Sequence, residues 1–199
     1  MSCVIAAGLA SVAQATVASN IGVSLQKTTV FNGTTTVPAY QLGIAQSLGA
    51  SDIDTSTWFT LTAVSGDTTH FNFRAADHNL DEGSDWYLAP QNADFTPASI
   101  SASQFTPLVV GNTFYGTRLV PNGGTFFLAY DTGLLPAPTR GEAIGWVQLQ
   151  NLNGTLSLVS SAAAYNEPGL RVGTTTVVPE PAAVGLLLTA APLLWRRRA

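Results

Sequence analysis

The chain has 199 residues, one of them a cysteine, and carries 12 Asp or Glu against 8 Lys or Arg. Between positions 16 and 177 only Lys27, Arg74, Arg118, Arg140 and Arg171 oppose eleven acidic side chains, a net charge of −6, which argues against a general nucleic-acid partner. The single cysteine, Cys3, leaves that span with neither an internal disulfide nor a thiol nucleophile.

Ser2 to Val12 is small and apolar, and Ala13-Gln14-Ala15 has the small-x-small form of a signal-peptidase site. Residues 1–15 therefore read as a secretory signal, with signal peptidase as a partner and a mature chain expected to start at Thr16. No Lys or Arg precedes Lys27, so the basic n-region is missing; a true start further upstream would account for it. The competing reading makes residues 1–15 a first strand or helix of the domain. Cys3 precedes the apolar stretch, whereas a lipid-modified cysteine would follow one.

Residues 16–177 have the size of one domain with a sizeable core, and no break in composition divides them. Thr, Val, Phe, Gly and Asn dominate, and strand patterns recur throughout. The clearest strands are 57–64, with Trp58-Phe59 and alternating Leu61 and Ala63; 68–74, with Phe71 and Phe73 on one face; 125–130; 143–149, with Ile144 and Val147 near Trp146; and 154–160, where Leu156 and Leu158 alternate. Weaker ones are 21–26, 28–31, 107–110, 113–119 and 171–177. Turns are expected at Asn32-Gly33, Ser65-Gly66-Asp67, Asn122-Gly123-Gly124 and Asn153-Gly154, each offering a residue tolerant of positive φ. This spacing predicts an all-β fold, an antiparallel β-sandwich of jelly-roll-like form. Two segments resist it: the polar stretch 77–104, with a helical turn near 98–104, and the stiff Pro136-Ala137-Pro138 loop.

The polar stretch contains Asp77-His78-Asn79-Leu80-Asp81-Glu82-Gly83-Ser84-Asp85. Asp77, Asn79, Asp81 and Asp85 place oxygen ligands as a short loop would around calcium. The pattern departs from an EF-hand, which wants Gly sixth and Glu twelfth, where this chain has Glu82 and Leu88. A plain solvated turn stands beside the calcium reading. His70 alternates with Phe71 and Phe73 and is expected on the solvent face, so His70 and His78 make no zinc site. No Gly-x-Ser-x-Gly elbow, dinucleotide-binding glycine pattern or phosphate loop occurs. Trp58, Trp86, Tyr87, Tyr115 and Trp146 could form a flat platform for sugar rings, though aromatic side chains of a β-sandwich also build cores. Trp86 and Tyr87 border the acidic loop and are expected outside, as glycan contacts.

The chain closes on Val178-Pro179-Glu180-Pro181, an uncharged apolar run from Ala182 to Trp195, then Arg196, Arg197, Arg198 and Ala199. The prolines break preceding structure, the apolar run can become a helix in lipid, and the arginines stay with anionic headgroups on the cytoplasmic side. The 14-residue run 182–195 would rise about 21 Å at 1.5 Å per residue, short of the roughly 30 Å hydrocarbon core. It needs Trp195 and snorkelling arginines to span, which suits a processing signal better than a permanent anchor. A buried C-terminal helix is the competing reading; Pro192 would kink it.

In order, spacing and position, residues 178–199 resemble the bacterial PEP-CTERM sorting signal. The resemblance implies that an exosortase, a membrane protease-transpeptidase, reads Pro179, Glu180 and Pro181 as a substrate element. It also implies an exported protein of a Gram-negative bacterium, held transiently in the inner membrane by Trp195 and Arg196 to Arg198, then released to the cell surface or to an exopolysaccharide or biofilm matrix. A looser resemblance covers 145–173: Gly145-Trp146-Val147-Gln148-Leu149, a strand through Leu158, then Ala163-Ala164-Tyr165-Asn166-Glu167-Pro168-Gly169 and a strand ending at Val172-Gly173. This is similar to the last unit before many such tails, and implies fold without function. Together these readings lead to an exported, non-enzymatic, structural surface or matrix protein, requiring no cofactor beyond the calcium considered above. A carbohydrate-binding module, with or without calcium, and a secreted hydrolase stand as alternatives.

Overall fold

The computed structural model describes residues 16–19, 23–31, 34–45, 56–64, 66–75, 85–111, 113–132, 143–165 and 167–178. Within them the chain is all-β and antiparallel. A seven-stranded sheet has the order β1 (Thr16–Ser19), β13 (Thr155–Tyr165), β12 (Ala143–Leu152), β11 (Gly124–Asp131), β6 (Asp85–Ala89), β8 (Thr106–Val110) and β9 (Thr113–Phe114). A five-stranded sheet runs β10 (Thr117–Leu119), β5 (His70–Ala75), β4 (Ser56–Ala63), β3 (Thr36–Ala45) and β2 (Val23–Phe31). A two-stranded pair, β14 (Leu170–Arg171) with β7 (Asp94–Phe95), and a helical turn α1 (Pro97–Ser101) form a third, smaller layer.

The period of two explains how these layers stack. Along β11, Phe126, Leu128 and Tyr130 enter the core between the two large sheets, joining Tyr40, Leu42, Ile44, Leu61, Phe71 and Phe73. Phe127 and Ala129, on the opposite face, join Ile144, Trp146, Phe95, Leu170 and Val172 in a second core beneath the small layer. The seven-stranded sheet is thus covered on both faces, so its central strand β11 carries an unbroken apolar run from Phe126 to Tyr130. The small layer is pinned by polar contacts. Trp146 Nε1 donates to the Thr174 carbonyl at 2.7 Å, and Arg171 Nε to Asp94 Oδ1 at 2.7 Å. Thr96 caps α1 by a capping box with Ser99, and Pro97 supplies the fixed φ that opens a helix.

Gly145 is required where β12 crosses Tyr130. A Cβ there would meet the Tyr130 hydroxyl and the Ala162 carbonyl oxygen, each at 2.5 Å. The Tyr130 hydroxyl itself is buried with no partner among the described residues, and burial pushes its pKa far up.

Several expected elements differ in extent. Residues 21–26 and 28–31 are one strand, β2. The expected strand 113–119 divides into β9 and β10 at Gly116 (φ +76), where the chain passes from the larger sheet to the smaller. The segment 171–177 contributes only β14 and a bridge from Leu170 to Val177. Leu158 is 36% exposed although Leu156 on the same face is buried; it lies in the part of β13 that β1, paired with residues 162–165, leaves as a sheet edge. The helical turn expected near 98–104 is α1. Three expected turns have left-handed residues: Gly66 (φ 75), Gly123 (φ 76) and the pair Asn153 and Gly154 (φ 51 and 81). Asn32-Gly33, the Pro136-Ala137-Pro138 loop, the signal segment 1–15 and the membrane segment 182–195 lie outside the described residues.

Candidate functional site

The described strand ends Ala45, Ser56, Ala75, Asp85, Asp131 and Ala143 all lie at one end of the sandwich, opposite the Asn153-Gly154 turn. At this end lie Asp85 and Tyr87, whose acidic groups burial raises. Asp85 and Asp131 are direct cross-strand partners of β6 and β11. Asp85 is 7% exposed. Its Oδ1 accepts the Gly111 N–H at 2.8 Å, and its Oδ2 accepts the Tyr87 hydroxyl at 3.5 Å. Burial pushes the Asp85 carboxyl up, against the pull of the Gly111 N–H and the Tyr87 hydroxyl. Burial and the nearby carboxylates Asp85 and Asp131 likewise raise the Tyr87 hydroxyl. Chemically, the corner holds a proton more readily than a free carboxylate would, and Asp85 fastens β6 to the turn after β8.

Trp86 and Tyr87 are not outside, as their place in a polar stretch suggested. Trp86 has no exposed surface, and its ring lies 5.1 Å from that of Tyr130 in the inner core. Tyr87 is 5% exposed, with its ring 5.7 Å from Phe95 and 6.3 Å from Phe105 in the outer core. The reason is position: β6 is an interior strand, so its alternating side chains each meet a covered face. Of the proposed calcium ligands, Asp85 is the described one and is turned to Gly111 and Tyr87. Asp77, Asn79 and Asp81 lie outside the described residues, as do His78 and the side chain of Trp58. Among the described residues no three His, Cys, Asp or Glu side chains gather as a metal site. His70 is on the solvent side of β5, bonded through Nδ1 to Asp67 Oδ2 at 2.6 Å. Val178 is described; Pro179, Glu180, Pro181, Trp195, Arg196, Arg197 and Arg198 are not.

At the opposite end, an amide cluster ties the two sheets. Asn151 is fully buried; its Nδ2 donates to the Thr68 carbonyl at 2.8 Å and its Oδ1 accepts the Gly154 N–H at 2.9 Å. Asn122 bonds both Thr68 and Asn153. The Tyr40 hydroxyl reaches the Gly154 carbonyl at 3.2 Å. An open cleft of about 380 Å³ beside this cluster is lined by Val37, Pro38, Val64, Thr68, Asn153 and Thr155 among others. Asn-Gly pairs marked the turns in the sequence, but nothing in them marked Asn151 as a tie between sheets.

The two ends titrate with opposite sign. The folded pKa of Asp85 lies above the ordinary aspartate value of 3.8, so stability falls as pH rises from 3.8 through the folded value. The Thr69 N–H, with the Thr69 hydroxyl and His70, holds Asp67 well below the usual carboxylate range. Its contribution is present above 3.8 and lost as pH falls toward the folded value. In melting temperatures measured against pH, Asp85→Asn is expected to flatten the decline above 3.8, and Asp67→Asn the decline below it. Profiles parallel to the parent protein would contradict these assignments.

Comparison of the chain with protein families, with characterised proteins and with solved structures finds no match.

Proposed function

We propose that this chain is an exported, non-enzymatic structural protein of the cell surface or extracellular matrix, delivered by its C-terminal tail. In this reading a signal segment at 1–15 directs export. A β-sandwich of jelly-roll-like form is the cargo, and Ala182 to Trp195 with the three arginines holds the chain in the inner membrane until an exosortase acts at Pro179-Glu180-Pro181. The observation that supports the reading is how the last described residues are held. Val177 bridges Leu170, and the Val178 N–H donates to the Gly169 carbonyl at 3.0 Å, so the described body is tied down as far as the residue before Pro179. Among the described residues both cores draw on positions between Val17 and Val177. The burial of Trp86 and Tyr87 favours a structural body over a glycan platform at that pair.

Deleting residues 179–199, which spares Val178 and its bond, is expected to abolish surface or matrix sorting while the melting temperature of the body stays unchanged. Cell fractionation with thermal melting of the recovered protein checks both halves. Surface display without the tail would contradict the reading.

A further inference from the structure

Sheet edges carry unpaired backbone groups, and folded proteins guard them by shortness, bulges, proline or charge. Most edges here are guarded. β9 has two residues, β10 three and β1 four. The part of β13 beyond β1 is interrupted where Val159 falls out of register. β2 is different. Its nine residues, Val23 to Phe31, pair with Ile44 to Thr36 in one unbroken register, and no described strand lies on its other side. It has no proline and one charge, Lys27, and it ends in Val30, 38% exposed, and Phe31, 68% exposed.

We propose that β2 is a self-association edge: a second copy of this chain adds its own β2 antiparallel to the first about a two-fold axis at Thr28, joining two five-stranded sheets into one. Any extended strand would satisfy the backbone; the side chains favour a second copy. With Thr28 facing Thr28, Leu25 of each copy lies opposite Phe31 of the other. Leu25 is half-buried on the inner core, and the two-residue period puts Phe31 on the same face, so the pair extends that core and covers the most exposed large apolar side chain of the described body. The same register sets Lys27 opposite Thr29 and Gln26 opposite Val30, so the sole charge meets no like charge. Moving the axis to Lys27 would oppose the two lysines, which is destabilising, and moving it to Thr29 would lose the Leu25–Phe31 pair. β13 packs against β2 where the two large sheets meet. The inference concerns the folded body and does not rest on the sorting reading.

The sequence permits a direct test, because Cys3 is its only cysteine. In the full chain held in detergent, with Cys3→Ser as background, Thr28→Cys would place two thiols across the axis. Directly opposed residues of antiparallel strands have Cα atoms about 4.5–5.5 Å apart, within disulfide reach. Mild oxidation is expected to give disulfide-linked dimers, whereas Ser101→Cys, exposed on α1 in the small layer, should stay monomeric on a non-reducing gel. Sedimentation of the parent chain should show a concentration-dependent dimer. Phe31→Lys should weaken it by about tenfold or more with unchanged circular dichroism, since the Leu25–Phe31 pair occurs twice about the axis. A Thr28→Cys chain that folds and stays monomeric under oxidation, equal cross-linking through Ser101→Cys, or a dimer indifferent to Phe31→Lys would each overturn the proposal.

Discussion

Trp86→Ala is expected to lower the stability of the body by about 3–5 kcal/mol, the usual range for removing a large ring from a core. Trp86 has no exposed surface, packs at 5.1 Å against Tyr130 and stands on an interior strand of the larger sheet, so the vacated volume could close only by moving β11 or the opposing sheet. For a domain of this size that loss corresponds to a fall in melting temperature of roughly 6–20 °C. A ring serving as an exposed sugar platform would change stability by only about 0.5 kcal/mol. Thermal or urea denaturation separates the two roles: a melting temperature within a degree or two of the parent would contradict the buried assignment and return Trp86 to the surface.

The sequence was legible where one local rule sufficed. Phe71 and Phe73 alternate with half-exposed Asn72 and sit fully buried as expected, and Asn153-Gly154 adopts the paired positive φ that a two-residue hairpin demands. It was illegible where the deciding fact was a neighbour distant in the chain. β3 escaped notice because Pro38 and Gly43 look like breakers. Yet Pro38 lies just beyond the last β4 pairing, Ala39 with Thr62, where no ladder needs its missing N–H on that side. β6 escaped because Asp81, Glu82 and Asp85 lend its surroundings a loop-like composition, and the N–H of Gly111, 26 residues away, which helps to hold a carboxylate inside, has no local signal. The same blindness placed Trp86 and Tyr87 outside. A second cover over the larger sheet, built from residues 94–101 and 170–178, does not follow from a pattern that alternation alone assigns to a two-layer sandwich.

Processing of the tail is the other large effect expected. Val178 is held by a backbone bond to Gly169, and Pro179 follows it in sequence, so a protease acting there would work beside a folded layer. A run of 14 apolar residues is short for the hydrocarbon core, and the arginines behind it favour the cytoplasmic face, so the chain would be held outside the inner membrane with the cleavage element at the outer boundary. Removal of the tail would spare every described residue of both cores. Mass spectrometry of the surface-associated protein, read at its C-terminus, tests the account most directly. The account predicts a mature chain that ends at or near Pro179-Glu180-Pro181 and lacks the apolar run; an intact peptide continuing through Trp195 to Ala199 would contradict it.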